Sequence, residues 1–327
     1  MPIWIIVASM TRRTLLAAAA VNPLSTLAAV PDVPIIDTHI HLFDPRRPKG
    51  IPWPPKDDAI RYKPALPERF VALTSKLGIV GAIEVECSPL IEDNQWVLDV
   101  AAKAPVMVGM IGNLQPGEAG FRVEFERLRK NPLYLGIRYG NLWGRDLGTE
   151  LKKPEFVAGL KELAAAKMIL DSANPNLKLL GDLRRASDLV PELRIMIDHL
   201  PGMDAPTDKA GLAQYEEVLR SLSARKQVYV KVSAVLRKKD GVVISDGAYY
   251  RPKLDEMWQR FGEDRVVFGS DWPNSDGLGT YEQVLTVVRD YVGTRGRGAA
   301  EKYFYKNSLA AYRWKGRTAA QLALSGK

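Results

Sequence analysis

The sequence of 327 residues contains one cysteine and three histidines, so residue types that often carry chemistry are scarce. A single cysteine, Cys87, excludes an internal disulfide framework and a cysteine-based zinc site. No apolar run approaches the ~20 residues that a membrane-spanning helix needs, so we expect no stable membrane insertion. Short-period repeats and low-complexity tracts are absent too. The composition is that of a globular protein with a large core.

Basic residues outnumber acidic ones, 46 to 38, but they do not form a stripe. Nucleic-acid-binding surfaces usually combine clustered Lys and Arg with interleaved aromatic residues or a known motif. This chain has neither, and basic clusters such as the one at 237–239 stand beside acidic residues. We therefore predict a solvated basic surface, no nucleic-acid partner and a small-molecule substrate that is anionic or rich in hydroxyl groups. The oligomeric state stays open.

The first 30 residues differ from the rest of the chain. Arg12 and Arg13 precede an alanine-rich apolar segment, which ends in small residues near Ala28. This order is typical of a twin-arginine export signal and predicts a periplasmic or exported protein. An ordinary N-terminal helix is the alternative, and Met1 and Met10 are both candidate start residues.

From Pro34 onward, short apolar runs alternate with longer segments of helical periodicity. The runs are nearly continuously apolar, as expected of strands covered on both faces, and Pro154 and Pro252 are predicted at helix starts. The predicted strands are Ile35–Ile40, Ile79–Glu86, Val106–Asn113, Tyr134–Tyr139, Met168–Asp171, Arg194–His199, Val228–Ser233 and Val266–Ser270. Eight alternations predict one (β/α)₈ barrel, a TIM barrel, over residues 31–327, with an open doubly wound sheet as the alternative.

Polar side chains collect at the C-terminal ends of these strands, where such barrels build their active sites. All three histidines belong to this set, His39 and His41 at the first strand and His199 at the sixth. Residues i and i+2 of a strand point the same way, so His39 and His41 can start a divalent metal site. If the His-x-His motif is considered without the other polar residues, the alternative is a pair of structural histidines. The other polar strand-end residues are Glu86, Asn113, Arg138, Asp171, Lys231 and Asp271.

Four segments, IDTHIHLFDP, IDHLPG, YVKVSAV and VVFGSDWP, together resemble the amidohydrolase-related family of the amidohydrolase superfamily. The resemblance is closest to the branch with 2-pyrone-4,6-dicarboxylate lactonase and L-fucono- and L-rhamnono-lactonases, and it covers roughly Pro34 to Tyr312. It implies a barrel of the metal-dependent-hydrolase type that hydrolyses an ester-like ring bond, most of all a lactone. Non-oxidative decarboxylation is the enzymatic alternative, and a non-catalytic sugar-acid-binding protein is the alternative from another class.

The resemblance also implies roles for individual residues. Asp271 would take a proton from the attacking water, and His199 would be a ligand or a catalytic partner. Arg138 and Lys231 match positions that contact oxygen atoms of the substrate. Each of these two cations has a strand-end salt bridge as its alternative role.

The metal is predicted from the same resemblance and from ligand chemistry. His39, His41 and Asp271 suit Zn²⁺ better than Mn²⁺, and His199 or Glu86 would complete a site with one position open for water. Some superfamily members carry a strand-five histidine or a carboxylated strand-four lysine, but this chain has ILDSANP and GIRYG there. We therefore predict one divalent metal ion rather than two, with a metal-free site as the alternative. Glu86 could instead bind Arg138 or a neighbouring backbone group.

The loop after the first strand, residues 43–67, is long and rich in proline. Loops of this length in a compact domain are usually functional or disordered. We predict an ordered flap over the barrel mouth, with Trp53 shielding the site. Trp143, Tyr250 and Trp272 lie on other strand-end loops and are candidates to line the same pocket, with core packing as the alternative for each.

Overall fold

The computed structural model describes residues 33–200 and 205–326, and eight parallel strands from these ranges form a nearly closed barrel. The strands are β1 (Ile35–Ile40), β2 (Ile79–Val85), β3 (Met107–Gly112), β4 (Tyr134–Arg138), β5 (Ile169–Asp171), β6 (Arg194–Ile197), β7 (Val228–Val232), β8 (Lys238–Lys239), β9 (Val242–Val243) and β10 (Val266–Phe268). All except β8 and β9 belong to the barrel, in chain order. The predicted barrel is confirmed, and the open sheet is wrong.

The barrel closes between β10 and β1 through single contacts rather than a regular ladder. Ile40 forms an isolated bridge with Trp272. The backbone N–H of Asp271 donates to the carbonyl of His39 at 2.8 Å, and that of His41 donates to the carbonyl of Trp272 at 2.7 Å. The closing seam therefore brings two predicted site segments into direct backbone contact.

Helices fill the connections between the strands. They are α1 (Pro67–Thr74), α2 (Asp93–Lys103), α3 (Phe121–Leu128), α4 (Leu147–Glu150), α5 (Pro154–Ala165), α6 (Leu177–Leu189), α7 (Lys209–Ser223), α8 (Gly247–Phe261), α9 (Tyr281–Gly293), α10 (Arg297–Glu301), α11 (Asn307–Tyr312) and α12 (Ala319–Leu324), with a 3₁₀ turn at Asn274–Gly277 and a π-helical turn at Lys302–Lys306. Within the described ranges, the helices are too short or too polar to cross a membrane. The predicted export signal lies outside the described residues and stays a prediction.

Two local predictions about prolines had different outcomes. Pro154 occupies the first turn of α5, as predicted. The prediction that Pro252 starts a helix was wrong, because α8 begins at Gly247, where the side chain of Asp246 accepts a hydrogen bond from the N–H of Ala248. An N-terminal cap satisfies an otherwise unpaired N–H group, and here it outweighs the missing N–H of a proline inside the helix.

The hairpin of β8 and β9 was not predicted from the sequence. Its strands have two residues each and are joined by Asp240 and Gly241. Both residues have positive φ angles, 52° and 80°. An Asp-Gly pair with this geometry is the common hairpin turn, so the dipeptide was the available signal.

The barrel interior is filled partly by the C-terminal segment. Ala311, Tyr312 and Trp314 form one apolar cluster with residues of seven barrel strands, among them Ile36 and Met196. Below this cluster, the Gln321 side chain donates to the carbonyls of Val80 and Pro105, which precede or begin strands. The segment therefore closes the N-terminal end of the barrel and leaves the C-terminal end open.

Candidate active site

A cavity of about 440 Å³ opens at the C-terminal ends of the barrel strands. This volume suits a small-molecule ligand, and the position is the usual one for the active site of this fold. Its walls combine aromatic, amide and titratable side chains. The lining residues are His41, Trp53, Cys87, Arg138, Leu142, Trp143, Asn174, His199, Asp271 and Asn274.

Three imidazole nitrogens converge on one carboxylate oxygen beside this cavity. The Nε2 atoms of His41, His39 and His199 lie 3.3, 3.6 and 3.9 Å from Oδ1 of Asp271. Among the described residues, neither His39 Nε2 nor Asp271 Oδ1 has a hydrogen-bond partner, although both atoms are buried. Buried polar atoms without partners are unfavourable unless a proton or a cation bridges them. The arrangement therefore fits a bound divalent cation.

Hydrogen bonds on the other side of the His41 and His199 rings support this interpretation. His41 Nδ1 lies 2.6 Å from the backbone oxygen of Val85, which can only accept, so Nδ1 donates and Nε2 is the nitrogen that faces Asp271. His199 Nδ1 lies 2.8 Å from the hydroxyl of Ser233. Metal-binding histidines commonly use the second nitrogen in this way, which fixes the tautomer and the ring orientation.

Burial and neighbouring charges set the protonation states of the site. Burial, reinforced by the charge of Lys231, holds the pKa of His39 well below its ordinary value, and burial also lowers the pKa of His199. Burial alone would raise the pKa of Asp271, but His199, His41 and the amide of Asn274 lower it overall. These shifts favour neutral rings for His39 and His199 and an ionised carboxylate for Asp271, which is the state that binds a metal ion.

Two overlapping sets of side chains can hold a cation. The potential ligand atoms of His39, His41 and Asp271 lie within 4.8 Å of one another, and so do those of His39, Asp198 and His199. Cations of the chain already balance the charge of Asp198, because its oxygens lie 2.9 Å from Lys231 Nζ and 3.5 Å from Arg138 Nε. The first set, whose carboxylate oxygen faces the three imidazoles, is the better cation site.

Glu86 does not belong to either set. Its carboxylate accepts hydrogen bonds from the N–H of Ser88 at 3.1 Å and the indole of Trp143 at 3.2 Å. Arg138 donates to the backbone oxygen of Glu86 rather than to the carboxylate. The predicted ligand role for Glu86 therefore does not fit the geometry, whereas the alternative, a bond to a neighbouring backbone group, does.

Two residues that were predicted to contact the substrate also lie outside the cavity lining. Lys231 is fully buried beneath the histidines, where Nζ lies 2.9 Å from both Asp171 and Asp198. Trp272 is fully buried too, and packs against Phe70 with ring centroids 5.4 Å apart. Neither residue lines the cavity: the Lys231 side chain reaches the ring of Tyr312 inside the barrel, and that of Trp272 packs toward α1. Lys231 therefore has its alternative role, in a salt bridge, and Trp272 has its alternative role, in core packing.

The predicted flap reaches the site, and its order stays a prediction. Backbone hydrogen bonds between Phe43 and Ala65 close its base, at 3.1 and 2.9 Å. The ring of Trp53 contacts that of His41 edge-on, with centroids 5.6 Å apart. Trp143 also lines the cavity, whereas Tyr250 is buried and donates its hydroxyl proton to the carbonyl of Ile244. Of the aromatic candidates, two are therefore in position to contact a ligand.

Two site residues have unusual backbone conformations. His199 and Asp271 have φ angles of 52° and 63°, in the left-handed region that few residues other than glycine adopt. His199 comes two residues after the end of β6 and Asp271 three residues after the end of β10, and in each case the turn directs the side chain to the cavity. Such strain concentrates at functional sites, where the surrounding structure compensates for it.

Close packing behind His39 requires a glycine at position 269. A Cβ added there would lie 2.7 Å from Cβ of His39 and 3.1 Å from Cδ of Lys231. We therefore expect Gly269→Ala to lower the free energy of unfolding by about 1–3 kcal/mol, as overpacking usually does. Urea unfolding measures the change. Gly298→Ala is the matched control, because a Cβ there meets nothing within 4 Å; equal stabilities of the two variants would contradict the prediction.

Two residues to which the sequence assigned no role, Asp198 beside His199 at the sixth strand and Asn274, also belong to the site. Asp198 contacts Lys231, Arg138 and His39, and Asn274 donates to Oδ2 of Asp271 at 2.7 Å. Strand alternation was the available signal for Asp198, since it lies two residues after the inward-facing Met196. The sequence had no comparable signal for Asn274, which is placed by the loop after β10.

Comparison with known proteins finds relatives of this chain. The family model described as amidohydrolase matches residues 36–314. The chain is 25% identical over 244 residues to an L-fucono-1,5-lactonase of Burkholderia ambifaria, covering 73% of this chain and 80% of that protein.

Solved structures agree on the fold. An amidohydrolase from Burkholderia multivorans with bound zinc superposes with a TM-score of 0.75 at 20% identity, covering 86% of this chain and 100% of that one. A protein from Acinetobacter baumannii, described as a probable 2-pyrone-4,6-dicarboxylic acid hydrolase, has a TM-score of 0.67 at 19% identity, covering 85% and 99%.

Proposed function

Because this chain belongs to the amidohydrolase family, we propose that it is a hydrolase that opens the ring ester of a small lactone. The observation that carries the proposal is the convergence of three imidazoles on Asp271 Oδ1 beside the cavity. Water attacks a carbonyl carbon faster when a cation polarises the carbonyl and a nearby group accepts a proton from the water. The site brings candidates for both roles to one point. The lactonase name of the relative from Burkholderia ambifaria supports this reaction.

The cavity walls favour a hydroxyl-rich lactone over a dicarboxylate. Trp53 and Trp143 offer aromatic faces, and Asn174 and Asn274 offer amide groups that can both donate and accept hydrogen bonds. Arg138 is the one Lys or Arg among the lining residues that the structure describes. A ligand with two carboxylates would need more positive charge than one guanidinium supplies, so we propose a sugar lactone as the substrate.

We propose that His39, His41 and Asp271 hold one zinc ion. The unpaired, buried His39 Nε2 and Asp271 Oδ1 support this assignment, as does the imidazole and carboxylate donor set. When bound, such an ion lowers the pKa of a water molecule toward ~7 and polarises a carbonyl oxygen.

Asp271 is suited to move the proton in this reaction. Asn274 donates to its Oδ2 and so fixes the orientation of the carboxylate, which can accept a proton from the water that attacks the carbonyl carbon. The same proton then passes to the ring oxygen as the ring C–O bond breaks. The products are a carboxylate and a hydroxyl group on one open chain, so atoms and charge balance after one further proton is released to solvent.

We propose that Arg138 stabilises the negative charge that develops on the carbonyl oxygen of the substrate. It lines the cavity, and its Nη2 lies 3.4 Å from Nε2 of His199. Bonds to the carbonyls of Ser172 and Glu86, at 3.1 and 3.2 Å, fix the plane of the guanidinium. A cation oriented before the reaction starts stabilises charge without reorganising during it.

A substrate panel tests the proposal. The purified protein is mixed with sugar lactones, pyrone lactones or aromatic carboxylates, and acid release and CO₂ release are followed against enzyme-free blanks. We expect ring opening of sugar lactones without CO₂. Release of CO₂ from an aromatic carboxylate would instead support the decarboxylase, and sugar-acid binding without turnover would support a binding protein.

A further inference from the structure

The C-terminal segment reaches the underside of the active site through one side chain. Tyr312, the last residue of α11, is 1% exposed and lies inside the barrel. Its hydroxyl donates to Oδ2 of Asp171 at 2.8 Å, although 141 residues separate the two in the chain. This hydroxyl therefore links the segment that closes the barrel to a charged group below the cavity.

From Asp171 the contacts continue to the candidate metal site. Lys231 Nζ lies 2.9 Å from Asp171 Oδ2 and 2.9 Å from Asp198 Oδ1. The same Nζ lies 3.4 Å from Nδ1 of His39, and the second oxygen of Asp198 lies 3.6 Å from that nitrogen. All of these groups are buried, so solvent cannot replace a lost partner.

Lys231 pairs with two carboxylates, and its position depends on how strongly each of them attracts its ammonium group. Asp171 Oδ2 accepts from both Tyr312 and Lys231, whereas Asp171 Oδ1 has no hydrogen-bond partner among the described residues. Without the Tyr312 hydroxyl, Asp171 would lose a donor and attract the ammonium of Lys231 more strongly. Lys231 would then move away from Asp198 and from Nδ1 of His39.

We infer that Tyr312 is a positioning residue of the active centre, acting through Asp171 and Lys231 on Asp198 and His39. It does not line the cavity, and so its effect falls on the orientation of His39 rather than on substrate contacts. The part of this inference that concerns kcat rests on the proposed function, whereas the part that concerns the orientation of His39 does not.

Tyr312→Phe isolates the hydroxyl, because it keeps the ring, which lies 5.4 Å from Lys231 Nζ. We expect kcat for lactone hydrolysis to fall by about 10-fold, the lower end of the loss seen when a direct partner of a metal ligand is removed, because Tyr312 acts on His39 through Asp171 and Lys231. KM should change little, since no substrate contact is lost. The metal affinity, measured by competition with a chelator, should fall as well.

Tyr303→Phe is the matched control. Tyr303 is also 1% exposed and lies nine residues earlier, but its hydroxyl has no hydrogen-bond partner among the described residues. We expect this variant to keep the wild-type kcat and metal affinity. Equal losses in both variants, or a loss confined to KM, would contradict a positioning role for Tyr312.

A spectroscopic measurement separates this inference from the proposed function. The chain has three histidines, so the imidazole ¹⁵N spectrum of chelator-treated protein is simple to assign. We expect Tyr312→Phe, and independently Asp171→Asn, to shift the resonances of His39 while Tyr303→Phe leaves them unchanged. Unchanged His39 resonances in the Tyr312 and Asp171 variants would overturn the inference, whether or not the protein hydrolyses lactones.

Discussion

Asp271→Asn should lower kcat for lactone hydrolysis by about 100- to 10,000-fold, the range that loss of a general base produces. An amide at this position still accepts the hydrogen bond from Asn274 through its oxygen, but it cannot take a proton from water. It is also a poorer partner for a cation among the three imidazoles. The fold should remain, because the variant keeps the size and shape of the side chain.

Steady-state kinetics on the lactone identified in the panel measures this effect. Asp276→Asn is the control, since Asp276 lies in the same loop, pairs with Arg69 and does not line the cavity. We expect the control to retain nearly full activity. Wild-type turnover in Asp271→Asn would exclude Asp271 as the proton acceptor and would require another base in the cavity.

The second large effect is expected from His39→Ala, which should remove the bound metal together with the activity. His39 belongs to both sets of side chains that can hold a cation, so its loss disrupts the site whichever set is used. Loss of a residue that only hydrogen-bonds to a metal ligand lowers metal affinity by about 10- to 100-fold. Loss of the ligand itself should lower the metal affinity further. Elemental analysis after gel filtration, followed by assays with added zinc, measures both quantities.

Two further histidine variants identify the ligand set. His41→Ala disrupts the set with Asp271 and leaves the set with Asp198 intact, whereas His199→Ala does the reverse. Because Lys231 and Arg138 already pair with Asp198, we expect His41→Ala to lose the metal and His199→Ala to keep it. Stoichiometric metal in His39→Ala, or full activity in chelator-treated wild-type protein, would rule out the zinc site.

Local sequence patterns were sufficient for the architecture and for part of the site. Each predicted barrel strand contains an observed strand, because continuous apolar runs between amphipathic segments reflect burial on both faces. The observed strands end before His199 and Asp271, where the backbone adopts positive φ angles that the pattern does not encode. His39 and His41 were predicted together because residues i and i+2 of a strand lie on the same face.

The tertiary structure alone decided which strand-end residues reach the cavity and which lie below it. Lys231 was predicted at the barrel mouth, but it lies beneath the histidines between Asp171 and Asp198. Glu86, predicted as a ligand, binds Ser88 and Trp143 instead. Depth in the barrel depends on the register between neighbouring strands, and a one-residue difference in register changes the face and height of every side chain.

Long-range contacts set a second limit on prediction from the sequence. The approach of Tyr312 to Asp171 spans 141 residues, and the contact between Asn274 and Asp271 depends on a turn after the last barrel strand. Periodicity reports only whether a residue is buried, not which partner it meets. The sequence by itself therefore determined the barrel and the chemical character of its open end. The pairing of charges beneath that end follows from barrel closure, which brings distant strands and the C-terminal segment within hydrogen-bonding distance.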